Sequence, residues 1–162
     1  MRSKAGSVDH DFPVVEIVGT GGAGARTFTI STTSGFVIAA AGLPVAKHGG
    51  RSVSSQCGAA DLIEELGIAL ELNGQQNAQV LQNCGMCFMF APVYHNSMKY
   101  AAPVRKALGV RTVFNILGPF ANPAGATVEL MGVYTKELVE PLAQVLANLG
   151  GKRGAVVYGY DG

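Results

Sequence analysis

The stretch EIVGTGGAGARTFTIST, residues 16–32, decides how this chain is read. An apolar run passes into Gly19, Gly21, Gly22 and Gly24 and then into the hydroxyls of Thr27, Thr29, Ser31 and Thr32. Without Cβ atoms a backbone can turn several N–H groups toward one anion, and a helix beginning just afterwards adds the positive end of its dipole. Capping accounts for one or two of the hydroxyls, and the remainder suit phosphate oxygens or a metal. The spacing is neither the Walker pattern, which needs a Lys after its last glycine, nor the G-x-G-x-x-G dinucleotide pattern. A plain tight turn is the alternative, and Ala23 stands where chemistry would ask for a polar side chain.

Composition narrows the partners. A chain of 162 residues with 48% hydrophobic residues has one domain's worth of core. Its formal net charge is +1, with no basic run or acidic tail, so nothing calls for nucleic acid or a membrane surface, and a small ligand is the better expectation. The longest apolar stretch, 36–46, is interrupted by Gly42 and Pro44, short of the roughly 20 residues a span requires. The opening MRSKAGSVDHDFP lacks the apolar core of a secretory signal, so a soluble cytoplasmic protein is expected. Cys57, Cys84 and Cys87 are too few for a disulfide framework, and the Cys84–Cys87 pair reads as small buried hydrophobes rather than a zinc or redox site.

Working outward, apolar runs alternate with helical segments. Strands are expected at 14–18, 44–47, 86–90, 128–134 and 155–158, the third covered on both faces because it is continuously apolar. Helices are expected at 31–41, 59–66 and 75–83, closed by Gly42, Gly67 and Gly85. The segment 96–108 should split into two short helices at Pro103, and a helix over 136–149 should be capped by Thr135, with Pro141 either kinking it or removing one hydrogen bond. This predicts an α/β fold, a mixed sheet flanked by helices. A tail over 1–13 and an α/β domain over 14–162, incomplete at both ends, complete the expected organisation.

Three further segments carry chemistry. KHGGRSVSS, 47–55, places Lys47 and Arg51 beside glycines and the hydroxyls of Ser52, Ser54 and Ser55, a second anion loop or else a solvated one. Two such loops at adjacent strand ends favour a ligand with two phosphate groups. FAPVYHNSMKYAAPVRKALG, 90–109, holds His95, a packed residue more readily than a base, and Arg105, which can fork onto a carboxylate or simply be an exposed helix charge. In FNILGPFANPAG, 114–125, Asn115 and Asn122 can tie down backbone or meet a ligand.

Taken in order, these segments resemble anthranilate phosphoribosyltransferase of tryptophan biosynthesis. The resemblance is carried by GTGG at 19–22, TFTIST at 27–32, KHGGRSVSS at 47–55, APVRKALGVRTVFNILGP at 102–119 and ANPAG at 121–125. It implies transfer of the 5-phosphoribosyl group from phosphoribosyl pyrophosphate (PRPP) to anthranilate, with Mg²⁺ on the pyrophosphate. It also implies the central α/β domain shared with pyrimidine nucleoside phosphorylases. In family terms PRPP would be held by Gly19, Gly22, Ala23, Thr27, Thr29, Ser31, Thr32, Lys47, His48, Gly49, Arg51, Ser52, Ser54, Ser55 and Ala59. Gly19, Gly50, His95 and Arg105 would face anthranilate, and Ser31 would be a metal ligand, with no residue assigned as catalytic.

The family pattern has Asp, Asn, Asn and Ser where this chain has Ala23, Thr29, Gly50 and Cys57. It also has an N-terminal helical portion, through which the family forms homo-oligomers, and a later Asp-Glu pair for Mg²⁺. The alternatives to the transferase are therefore a shortened relative that binds anions without turnover and, more distantly, a pyrimidine nucleoside phosphorylase. PVRK together with FNILGP argues against the last.

Overall fold

The computed structural model describes residues 3, 5–20, 28–52, 57–110 and 112–160, without the side chains of Arg105 and Lys106. Five short strands form one sheet: β1 Val15–Gly19, β2 Val45–Gly49, β3 Met86–Phe90, β4 Val128–Gly132 and β5 Arg153–Val157, in the spatial order β3-β2-β1-β4-β5. The α/β class is as expected. Within it, every pairing is parallel, so the sheet is not mixed. The physical reason is that each connection contains helix and returns to the same end of the sheet, as parallel neighbours require.

Alternation along the strands assigns the faces. Ile17, Val45, Lys47, Phe88 and Phe90 lie on one, and Glu16, Ala46, His48, Cys87 and Met89 on the other. Helix α1, Ile30–Ala40, packs on the first face so closely that a Cβ on Gly35 would meet Met86 at 3.3 Å and Val45 at 3.7 Å. Helix α2, Ala59–Glu65, brings Ala60 and Ile63 onto Phe88 and Phe90 on that face. On the second face Leu81 of α3, Gly74–Cys84, and Tyr94 of α4, Ala91–Tyr94, close over Ala46, Cys87 and Met89. Strand β3 is therefore covered on both sides, as its apolar run predicts. Ile63, Leu81 and Met89 are fully buried, each contributing about 1.5–3 kcal/mol of transfer free energy.

Beyond β3 come α5, Ala102–Leu108, and α6, Phe114–Leu117, followed after β4 by α7, Val139–Asn148, whose Leu142 and Leu146 pack on Met131 and Val133. Residues 6–10, placed in a tail by their sequence, lie against the domain: Gly6 N–H donates to the Tyr94 carbonyl, Val8 N–H to that of Pro123, and Val8 is buried.

Several local expectations change. Pro141 does not kink a long helix, because 136–138 form a 3₁₀ turn and Pro141 falls in the first turn of α7, where its missing N–H has no intrahelical partner to lose. Thr135 does not cap that helix either, since its hydroxyl donates to the Glu137 carboxylate. The expected split of 96–108 holds, since residues 96–100 form a 3₁₀ helix and α5 follows, but Pro103 lies in the first turn of α5 with the break just before it. Cys87 is buried as expected, but Cys84 is exposed, at the last position of α3 where the chain turns away through Gly85 at φ 72°. The short helices α4 and α6 stand where the sequence pattern predicts no helix.

Candidate functional site

In a parallel sheet the strand ends share one edge, and neighbouring strands bring their following loops together. β1 and β2 are neighbours, so the described parts of the two segments expected to hold anions lie at the same edge. Two contacts join them. Lys47 Nζ, from the middle of β2, lies 3.5 Å from Ser31 Oγ in the first turn of α1, and the Thr29 hydroxyl lies 3.8 Å from Cys57 Sγ. Thr29 precedes α1 without capping it. The Thr32 hydroxyl is fully buried with no partner among the described residues. Gly22, Ala23, Thr27, Ser54 and Ser55 lie outside the described residues.

The floor of this edge is a buried polar network. Glu16, fully buried in β1, accepts the His48 N–H at 3.2 Å on both carboxylate oxygens. Asn122 wedges between the strands, donating to Glu16 and, at 2.9 Å, to the Ala46 carbonyl, while its own oxygen accepts Ala124 N–H at 2.8 Å. Lys47, also buried, donates to the Ile17 carbonyl at 2.7 Å. Beyond the registered Val15–Val45 pair, these side chains supply hydrogen bonds between β1 and β2. Burial raises the Glu16 carboxyl to about 8 against the pull of Lys47, and burial lowers the Lys47 ammonium although Glu16 supports it.

Arg51 takes the opposite course. It is half exposed, stacks at 5.7 Å over the Phe90 ring, and is held by two carboxylates of α2. Glu64 grips it at 2.6 and 2.8 Å, and Asp61 reaches it at 3.2 Å. The other oxygen of Asp61 accepts the N–H groups of Ser52 at 3.0 Å and Gly58 at 2.8 Å. One carboxylate thus ties together the two ends of the segment 52–58. Gly58 makes this approach feasible, because a Cβ there would lie 2.4 Å from Ser52 N.

The other candidates sort by geometry. The His48 ring turns to the second face and meets His95 edge-on at 4.8 Å, and both rings are buried. Burial first, then the neighbouring His95 and Lys47, push His48 down to about 3, with the Gly118 backbone a weak opposing influence. Burial likewise lowers His95. Neither ring opens onto the edge where Lys47 meets Ser31. Gly49 is packed, with a Cβ there only 3.1 Å from Ala59 Cβ, whereas at Gly50 the nearest atom is 4.0 Å away, leaving room for a side chain. Gly19 ends β1 at the same edge. Arg105 lies on α5, with its side chain outside the description. Asn115 and Asn122 both bind backbone.

Glu16, Asp61 and Glu64 were missed by sequence reasoning. For Glu16 a signal existed, since a carboxylate inside the apolar run VVEIV must find buried partners. Asp61, three residues after the loop's last glycine, has the spacing of a reciprocal helix-start contact.

The same architecture recurs among known proteins. Over its whole length the chain is 65% identical to the anthranilate phosphoribosyltransferase of Ruminiclostridium cellulolyticum, covering 48% of that protein, and 54% identical to that of Methanobrevibacter smithii, again covering 48%. Among solved structures, the anthranilate phosphoribosyltransferase of Thermus thermophilus matches all of the chain with a TM-score of 0.94 at 46% identity, over 49% of its own length. The Saccharomyces cerevisiae enzyme in complex with PRPP and Mg matches 99% of the chain with a TM-score of 0.91 at 35% identity, over 46% of its own. The chain spans about half the length of the curated relatives it matches. Residues 11–162 match the family described as "Glycosyl transferase family, a/b domain", and the chain belongs to that family.

Proposed function

We propose that this chain supplies the PRPP-binding part of an anthranilate phosphoribosyltransferase, which transfers the 5-phosphoribosyl group to the amine of anthranilate and releases pyrophosphate. The observation that carries the reading is the contact of Lys47 on β2 with Ser31 at the start of α1, beside the neighbouring ends of β1 and β2, with Arg51 just beyond β2. The relatives named for this activity, one solved with PRPP and Mg, support it.

The chemistry suits the residues. In this displacement the anthranilate nitrogen forms a bond to the anomeric carbon of the ribose as the bond to pyrophosphate breaks. The leaving group needs positioned cations and N–H donors more than a strong base. Lys47 and Arg51 supply positive charge, and Ser31, Thr29 and the N–H groups of Gly50 and Arg51 supply polar contacts. His48, whose ring faces away and whose N–H is held by Glu16, contributes by fixing the strand between Lys47 and Gly49. Gly50 and Arg105 are assigned to anthranilate, Arg105 to its carboxylate.

Magnesium enters as an ion carried on the pyrophosphate. Among the described residues no three His, Cys, Asp or Glu side chains gather to hold a metal, and Ser31 offers one hydroxyl beside an ammonium. Mg²⁺ keeps several waters and takes substrate phosphates with one or two carboxylates. Among the described residues Ser31 offers a hydroxyl only, so the ion would be held mainly by pyrophosphate oxygens and water. When bound it neutralises charge on the departing pyrophosphate. No helix among the described residues is long and apolar enough to cross a membrane, and a cytoplasmic setting belongs to this reading.

The test is calorimetric titration of PRPP with Mg²⁺, run beside a fluorescence assay for anthranilate consumption. Heat with turnover is the expected outcome for the transferase. Heat without turnover assigns this chain to anion binding alone, and no heat removes the PRPP site.

A further inference from the structure

The guanidinium of Arg51 has five N–H donors in a rigid plane. Glu64 takes one from Nη1 and one from Nη2, and Asp61 takes the second from Nη1. Among the described residues this leaves Nε–H and the outer Nη2–H, which point in parallel from one edge and match two oxygens of one phosphate. The same Asp61 closes the segment 52–58 through Ser52 and Gly58. We propose that Asp61 and Glu64 are positioning residues of the anion site: they turn Arg51 so that its Nε–Nη2 edge is presented to a phosphate. The inference rests on the PRPP reading of this loop.

Two effects compete. Carboxylates near an anion repel it, but these side chains are 32% and 56% exposed, where water and salt screen the repulsion. Against it stands the gain from holding a long, rotamer-rich side chain in its binding geometry before the ligand arrives. The second effect dominates in this proposal, so removing a carboxylate weakens anion binding even though a negative charge is lost.

The experiment titrates inorganic pyrophosphate with Mg²⁺ into the native chain, Glu64→Gln, Asp61→Asn, Arg51→Lys and the two double variants carrying Arg51→Lys, with a melting curve for each. Glu64→Gln and Asp61→Asn are expected to weaken binding about tenfold, as loss of a charged hydrogen-bond partner does. The melting temperature of Glu64→Gln should not move. In the Arg51→Lys background Glu64→Gln should add little, because lysine cannot keep the fork, whereas Asp61→Asn retains the part of its loss that comes from Ser52 and Gly58. Fully additive losses, unchanged affinity or tighter binding by Glu64→Gln would overturn the proposal while leaving the anion site standing. Absence of binding by the native chain would overturn the site itself and this proposal with it.

Discussion

Lys47, in the middle of β2, and Arg51, just beyond its end, stand four positions apart and are handled in opposite ways. Lys47 is buried, its ammonium tied to the Ile17 carbonyl and Ser31, with the Glu16 carboxyl nearby. Arg51 is half exposed and gripped by two carboxylates. A compact ammonium that shifts its pKa readily can be taken inside, whereas a guanidinium stays charged and is best used where its plane can be oriented. One cation is thereby bound up with stability and pH, and the other mainly with geometry.

The comparison breaks most severely at Glu16. Glu16→Ala would strip buried partners from His48 N–H and Asn122, a loss of about 1–3 kcal/mol for each group left unsatisfied. Chemical denaturation would register this as a large drop in midpoint, and a drop under ~1 kcal/mol would mean that the network is not coupled. The next effect is pH dependence. The folded state holds a proton on Glu16 up to about 8, while the unfolded chain releases it near 4.5. That contribution is complete below about 4.5 and is lost as pH rises toward 8. His48 acts in the other direction: with its pKa lowered from 6.5 to about 3, stability falls as pH drops through that window. Melting curves of Glu16→Gln subtracted from native ones isolate the first slope, and a difference independent of pH between 4.5 and 8 would rule it out.

On the Arg51 side the effects are smaller. Gly58→Ala should cost about 1–3 kcal/mol, since its Cβ would meet the Ser52 nitrogen at 2.4 Å and force apart the ends that Asp61 joins. A native melting temperature with weakened pyrophosphate binding would instead put the whole effect in the ligand. Arg51→Lys is expected to leave the melting temperature in place and to lower pyrophosphate affinity, because two exposed ion pairs contribute little to folding.

Much of this was legible in the sequence, unevenly. MCFMF announced a strand covered on both faces, and Gly42, Gly67 and Gly85 marked where helices stop, each at positive φ. These signals are local, set by residues touching their sequence neighbours or one packed layer. The misses share a different cause. Cys84 looked buried by type, but its place at the end of α3 exposes it. Pro141 looked like a kink until the start of α7 moved past Leu138, and α4, four residues long, has no period to read. At the site, the glycines and hydroxyls declared an anion loop, yet nothing in KHGGRSVSS says that Arg51 is held from a later helix. Nothing near Glu16 names Asn122 as its partner.

That last pairing has a consequence in time. Glu16 and Asn122 are 106 residues apart, and the loop that carries Asn122 also receives Val8 through Pro123 and His10 through Ala124. Contacts this distant in sequence must wait for the largest chain closures, which form slowly. The seam between β1 and β2 is therefore expected to be finished only when the chain as far as residue 124 is in place, however early the strands themselves form. In pulsed hydrogen exchange during refolding, the His48 amide should gain protection together with the β1–β4 ladder, and earlier protection would refute this order. The position of Lys47 would then be one of the last features the fold acquires, fixed by a wedge made long after the lysine itself.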